Sequence, residues 1–122
     1  MRTDIKLDRD TLFIIAAPFE DAEYPGQTFF CRDCATMEAA LALNPAWSRQ
    51  VDVQRLGYPR PRHAVIELLG EENQGLPALI FADTASAPEG AKRASNGLAF
   101  LTEARAILRY LGERYGGIRQ HP

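Results

Sequence analysis

Lysine, histidine, methionine and cysteine are all scarce in this chain of 122 residues. Its only lysines are Lys6 and Lys92, so nearly all of its 14 basic residues are arginine. It has no basic surplus either. The 14 Lys and Arg stand against 16 Asp and Glu, for a net charge of −2. A chain that coats nucleic-acid phosphates is normally basic, so general nucleic-acid binding is disfavoured. Long apolar runs are missing. The longest, residues 12–17, is far too short to cross a bilayer. The stretch from Met1 to Asp10 alternates charges and lacks the apolar core of a signal peptide. These absences predict a soluble, cytoplasmic protein with neither a nucleic-acid nor a membrane partner. Two cysteines cannot build a disulfide framework, and in the cytoplasm a close pair is more often redox-active or metal-bound than structural.

What is present is an ordinary globular balance, 46% apolar and 25% charged. The length fits one domain, residues 1–122 with a core from about 11 to 117, burying roughly two-thirds of its unfolded surface. Residues 12–17 are apolar on both faces and precede Pro18, as in a strand buried inside a sheet. Residues 18–30 form a long loop rich in turn formers and charge, of the kind that is often functional or mobile. A helix follows from Cys31 to Leu43, with Cys34, Met37 and Leu41 on one face. Asn44 before Pro45 stops it.

Residues 51–54 alternate as a half-buried strand does. Pro61 suits the first turn of a second helix, with Val65, Leu68 and Leu69 inward and Gly70 at its end. Residues 78–82, introduced by Pro77, read as another buried strand. Residues 83–96 read as an exposed loop and 98–101 as a short strand. Thr102 is placed to cap a last helix whose Ala104, Ile107, Leu108, Leu111 and Tyr115 form one stripe. Gly116 and Gly117 end that helix. The order β-α-β-α-β-β-α predicts an α/β fold: a four-stranded mixed sheet, helices on both faces, and the last two strands paired antiparallel.

The pair Cys31 and Cys34 is the sharpest chemical feature. Unpaired backbone N–H groups at a helix start favour an anion, and hence a thiolate at Cys31. Arg32 adds positive charge and Asp33 partly offsets it. Cys34 lies nearly one turn on, close enough to pair with Cys31, and begins the apolar stripe. An exposed attacking thiol beside a sheltered one is what disulfide exchange requires. The plain alternative is two small apolar residues in an alanine-rich helix. Zinc is the other use of this spacing. It would need two further ligands, with only His63, His121 and carboxylates available, and no metal is predicted.

The arrangement of strand, Cys-x-x-Cys helix, strand, helix and a Leu-Pro strand resembles the thioredoxin-like superfamily. The segment 75–79 looks like the place where that superfamily carries a cis-proline opposite the cysteines, which implies a cis Leu76–Pro77 bond. Residues 101–111 are similar to the end of the N-terminal domain of glutathione transferases, where an acidic residue and a following serine bind the γ-glutamyl end of glutathione. Glu103 matches the acid, while Ala104 stands in place of the serine. As a whole, residues 11–117 resemble an uncharacterised family of short, stand-alone thioredoxin-fold proteins. On this reading no all-helical second domain like that of the transferases is expected, and the loop before Cys31 is longer than in glutaredoxins.

The resemblance implies a glutaredoxin-like thiol–disulfide oxidoreductase. Cys31 would attack and Cys34 resolve; Leu76, Pro77, Thr102 and Glu103 would hold the substrate. No cofactor is implied beyond glutathione as a co-substrate, and partners are glutathione or a protein disulfide, with a homodimer compatible. The alternative is a binding or interaction module without turnover. Arg55, Arg60, Arg62 and His63 could take a carboxylate or phosphate, but read more simply as a solvated loop. Trp47, Tyr58 and Tyr110 read as packing aromatics.

Overall fold

The computed structural model describes residues 7–122. The charged segment from Met1 to Asp10 therefore lies largely outside the described residues. Five strands form one mixed sheet: β1 (Thr11–Ile15), β2 (Asp52–Leu56), β3 (Ala78–Ile80), β4 (Lys92–Arg93) and β5 (Ala99–Leu101). Their order is β2-β1-β3-β5-β4. β1 runs parallel to β2; the pairs β1–β3, β3–β5 and β5–β4 are antiparallel. Four helices complete the fold: α1 (Arg32–Leu43), α2 (Trp47–Gln50), α3 (His63–Leu69) and α4 (Ala104–Tyr115).

The two-residue period of the strands divides the core in two. Leu12, Ile14, Leu79, Phe81, Ala99 and Leu101 join one cluster, with Met37 and Leu41 of α1, Trp47 of α2, and Ile107 and Leu111 of α4. Phe13, Ile80 and Phe100 point the other way, toward Val65 and Leu69 of α3. Helices thus cover both faces, as the unbroken apolar runs demand. Each fully buried large side chain contributes roughly 1.5–3 kcal/mol.

Several sequence readings are corrected. The sheet has five strands, not four. The expected loop at 83–96 contains a single 3-10 turn (Thr84–Ser86) and the short edge strand β4. Its residues are exposed and polar, so no apolar pattern marks that strand. The strand read at 51–54 is shifted to Asp52–Leu56. The turn α2 went unread, yet Trp47 is buried there and its Nε1–H donates to Gly116 O at 2.9 Å. Pro61 lies before α3, not in its first turn; both Val65 N–H and Ile66 N–H bond to Arg62 O, making Arg62 the N-cap. Thr102 does not cap α4. Glu103 takes the N-cap position with extended backbone, its carbonyl accepting from Ile107 N–H at 3.0 Å and its side chain making no cap bond. At the other end, Gly116 closes α4 with φ 74°, a left-handed conformation that favours glycine.

Beyond α4 the chain folds back. Asn44, 7% exposed, receives Ile118 N–H at 2.7 Å and donates to Ile118 O at 3.1 Å. At the start of β1, Asp10 is equally buried. It accepts Ala82 N–H at 2.9 Å on Oδ1, and the hydroxyls of Tyr110 and Tyr115, each at 3.0 Å, on Oδ2.

Candidate functional site

Strand register gathers the predicted site at one end of the sheet. β1 finishes at Ile15, level with Leu56 of β2. On its other side β1 pairs with β3, Leu12 with Leu79 and Phe13 with Ala78, so Leu76 and Pro77 enter β3 at the end where β1 finishes. β5 pairs with β3, Leu79 with Leu101 and Ile80 with Phe100, so Thr102 and Glu103 leave β5 at that same end. Leu76 and Pro77 thus lead directly into β3, and Thr102 and Glu103 directly follow β5, at the end of the sheet where β1 finishes. Pro77 is buried, and Leu76 touches both core clusters. The Leu76–Pro77 bond is cis, as are Ala17–Pro18 and Arg60–Pro61. Among the described residues, the side chains of Thr102 and Glu103 make no hydrogen bond or ion pair.

The cysteines belong to this end through Ile15. Its N–H donates to Cys34 Sγ at 3.3 Å. Cys34 N–H in turn donates to Cys31 Sγ at 3.2 Å. Cys31 is not the first residue of α1, as expected, but its N-cap; its sulfur takes the role an oxygen plays in serine or aspartate caps. Both thiols are free. Cys31 is half-buried and Cys34 buried. Burial, followed by the hydrogen bond with Cys31, pushes the Cys34 thiol up to about 12. At neutral pH it stays protonated.

The loop 18–30 is folded on itself. Phe19 and Phe29 bridge in antiparallel fashion, and the Phe19 ring stacks on Tyr58 with centroids 4.3 Å apart and planes 3° from parallel. Tyr58 donates its hydroxyl to Asp21 at 3.1 Å, a bond that raises its pKa. The loop thus links to the segment after β2, beside the cysteines. Phe30, immediately before Cys31, is 65% exposed.

The arginine cluster is not brought together, and the solvated reading fails for one member. Arg55 forms a two-bond fork with Glu38 of α1, at 2.7 and 2.8 Å. That pair holds the Glu38 carboxyl below its usual range. Arg60 and His63 are exposed. Arg62 turns inward and is only 7% exposed. Its Nε and Nη2 donate to Tyr58 O at 3.1 and 2.6 Å, and Nη1 to Gln74 O at 2.8 Å. Nothing in the spacing of four basic residues around two prolines signals which one points in.

A family model described as "Protein of unknown function (DUF3088)" matches residues 9–119. The chain belongs to that family. No curated protein and no solved structure matches it. The DUF3088 match takes in every strand and helix and all six site residues predicted above. Among the described residues, no three His, Cys, Asp or Glu side chains are grouped to hold a metal ion. No helix among them is long and apolar enough to cross a membrane. Clefts of about 340 Å³ between α4 and the tail, and about 660 Å³ beside β2, do not touch the cysteines.

Proposed function

We propose that this DUF3088 protein is a thiol–disulfide exchange protein on a thioredoxin-like sheet. Cys31 is the attacking thiol and Cys34 the resolving one. The observation that carries this reading is the asymmetry of the pair. One sulfur sits half-buried at a helix N-cap with a backbone N–H aimed at it, and the other is buried and held protonated. In the first step the Cys31 thiolate bonds to one sulfur of a disulfide and the other sulfur leaves as a thiolate. In the second, the Cys34 thiol loses its proton to solvent and attacks Cys31 Sγ. The substrate thiolate departs, leaving a Cys31–Cys34 disulfide. Leu76 and Pro77, just before β3, and Thr102 and Glu103, just after β5, would orient a peptide disulfide such as glutathione. Such a dithiol works in a reducing compartment, the cytoplasm.

Equilibration in glutathione buffers tests the reading. We expect an internal disulfide with one defined reduction potential, and a stable mixed disulfide on Cys31 in a Cys34→Ser variant. Failure to form the internal disulfide under mild oxidant overturns it. Exposed Phe30 and Tyr24, and Ala104 in place of a serine, favour a second reading, a binding module without turnover. That reading predicts no dithiol turnover with either glutathione or thioredoxin reductase as electron source.

A further inference from the structure

A protonated, buried resolving thiol is a poor nucleophile, and the residue that corrects this is on the neighbouring loop. We propose that Arg62 is the positioning residue of the resolving step. Its buried guanidinium spans the end of β1, from Tyr58 to Gln74, and has no carboxylate partner among the described residues. It offsets the charge that Cys34 takes on once Cys31 is held in a mixed disulfide. The inference rests on the dithiol reading above.

Its placement follows from the sheet order. Tyr58 lies two residues past β2 and Gln74 four residues before β3. β1 runs between those two strands. A side chain that bonds both carbonyls therefore crosses the end of β1, where Ile15 N–H holds Cys34 Sγ. The Arg62 Cζ also lies 5.6 Å from the centre of the Tyr58 ring, which packs on the core cluster containing Cys34. A guanidinium stays charged, and a buried charge without an opposite charge is costly. Burial and Arg60 push the Arg62 pKa down; Tyr58, Cys34 and Cys31 push it back.

The other charged groups around the thiols do not substitute for it. Arg32 is exposed and pairs loosely with Asp33, and Asp33 itself disfavours charge on Cys34. Asp21 is bonded to Tyr58, Glu38 to Arg55, and Arg60 is exposed. Two of the influences that keep Cys34 protonated come from Cys31. A mixed disulfide at Cys31 removes both. Burial and Asp33 still oppose a Cys34 thiolate, and Ile15 N–H favours it; Arg62, whose own pKa Cys34 pushes up, is the proposed counter-charge.

A chromogenic nitroaryl disulfide separates the two steps. Attack by Cys31 releases one coloured thiolate, and resolution by Cys34 releases a second. In stopped flow, Arg62→Met should slow the second phase at pH 7 by about tenfold, the effect of one unit in the thiol equilibrium, and recover at alkaline pH. Arg62→Lys keeps the charge but loses the carbonyl fork, and should stay near the wild-type rate. Where Arg62→Met does not fold, Arg62→Gln takes its place. A wild-type second phase left unchanged by charge removal overturns the inference alone. So does an Arg62→Lys variant as slow as Arg62→Met, which would make the role one of packing. Absence of any second phase in the wild-type chain overturns the dithiol reading and this inference with it.

Discussion

Replacing Asp10 with alanine should lower stability and loosen two tyrosine protons together. Asp10 and Tyr110 are 7% and 9% exposed, so groups they leave unpaired gain little from water. The substitution strips the acceptor from Ala82 N–H and from both tyrosine hydroxyls. Each buried donor left alone costs about 1–3 kcal/mol. Tyr115 is half-buried and regains water, so Ala82 N–H and Tyr110 dominate, for a total of about 3–4 kcal/mol. At roughly 4 °C per kcal/mol for a chain of this size, Tm falls by about 12–16 °C. Asp10→Asn keeps an oxygen for Ala82 N–H and offers an amide to the phenols, so it should cost about 1 kcal/mol. Burial, then Asp10, holds Tyr115 up at about 12 and lifts Tyr110 as well. Losing the carboxylate removes both of its contributions and leaves burial partly offset by Arg114, so both phenols should ionise at lower pH. Thermal melts followed by circular dichroism and tyrosinate absorbance titrations read the two effects. An Asp10→Ala protein that melts within about 1 °C of wild type, or whose phenols titrate unchanged, refutes the reasoning.

Two more outcomes follow from other buried groups. Cys34 holds its proton to about 12 in the folded chain, whereas a free thiol releases it near 8.5–9. From about pH 9 upward the folded state therefore binds more protons than the unfolded one, and stability should fall by about 1.4 kcal/mol per pH unit from this group. Urea unfolding at pH 8 and 10.5 should show a shallower loss in Cys34→Ser than in the reduced wild type, and equal slopes would contradict the assignment. Asn44→Ala removes both bonds to Ile118 and should cost about 1–3 kcal/mol. It should also expose the Ile118 amide to rapid hydrogen exchange, and unchanged protection there would show that the tail is held by something else.

The sheet was legible where burial is two-sided. Residues 12–15 and 78–81 are apolar without interruption, and no loop reads that way. Strand β4 was not legible, because Lys92 and Arg93 are held only by backbone bonds to β5 and carry no apolar signature. The site divides similarly. Cys31 and Cys34 announce themselves by spacing, and Leu76–Pro77 by its place before a strand. Arg62 does not. Its inward turn depends on carbonyls at Tyr58 and Gln74, which any residue could supply. The cap at Glu103 in place of Thr102 was missed because backbone extension, not side-chain chemistry, decides where α4 starts.

The edges of the sheet also bear on whether another strand can join it. One edge is β4, only two residues long and basic in both. The other is β2, which carries Asp52, Gln54 and Arg55, with Arg55 tied to Glu38 of the helix above. A strand from another molecule that joined either edge would have to bury or displace those charges, the usual protection against open-ended stacking. Growth of the sheet from chain to chain is thereby disfavoured at both edges.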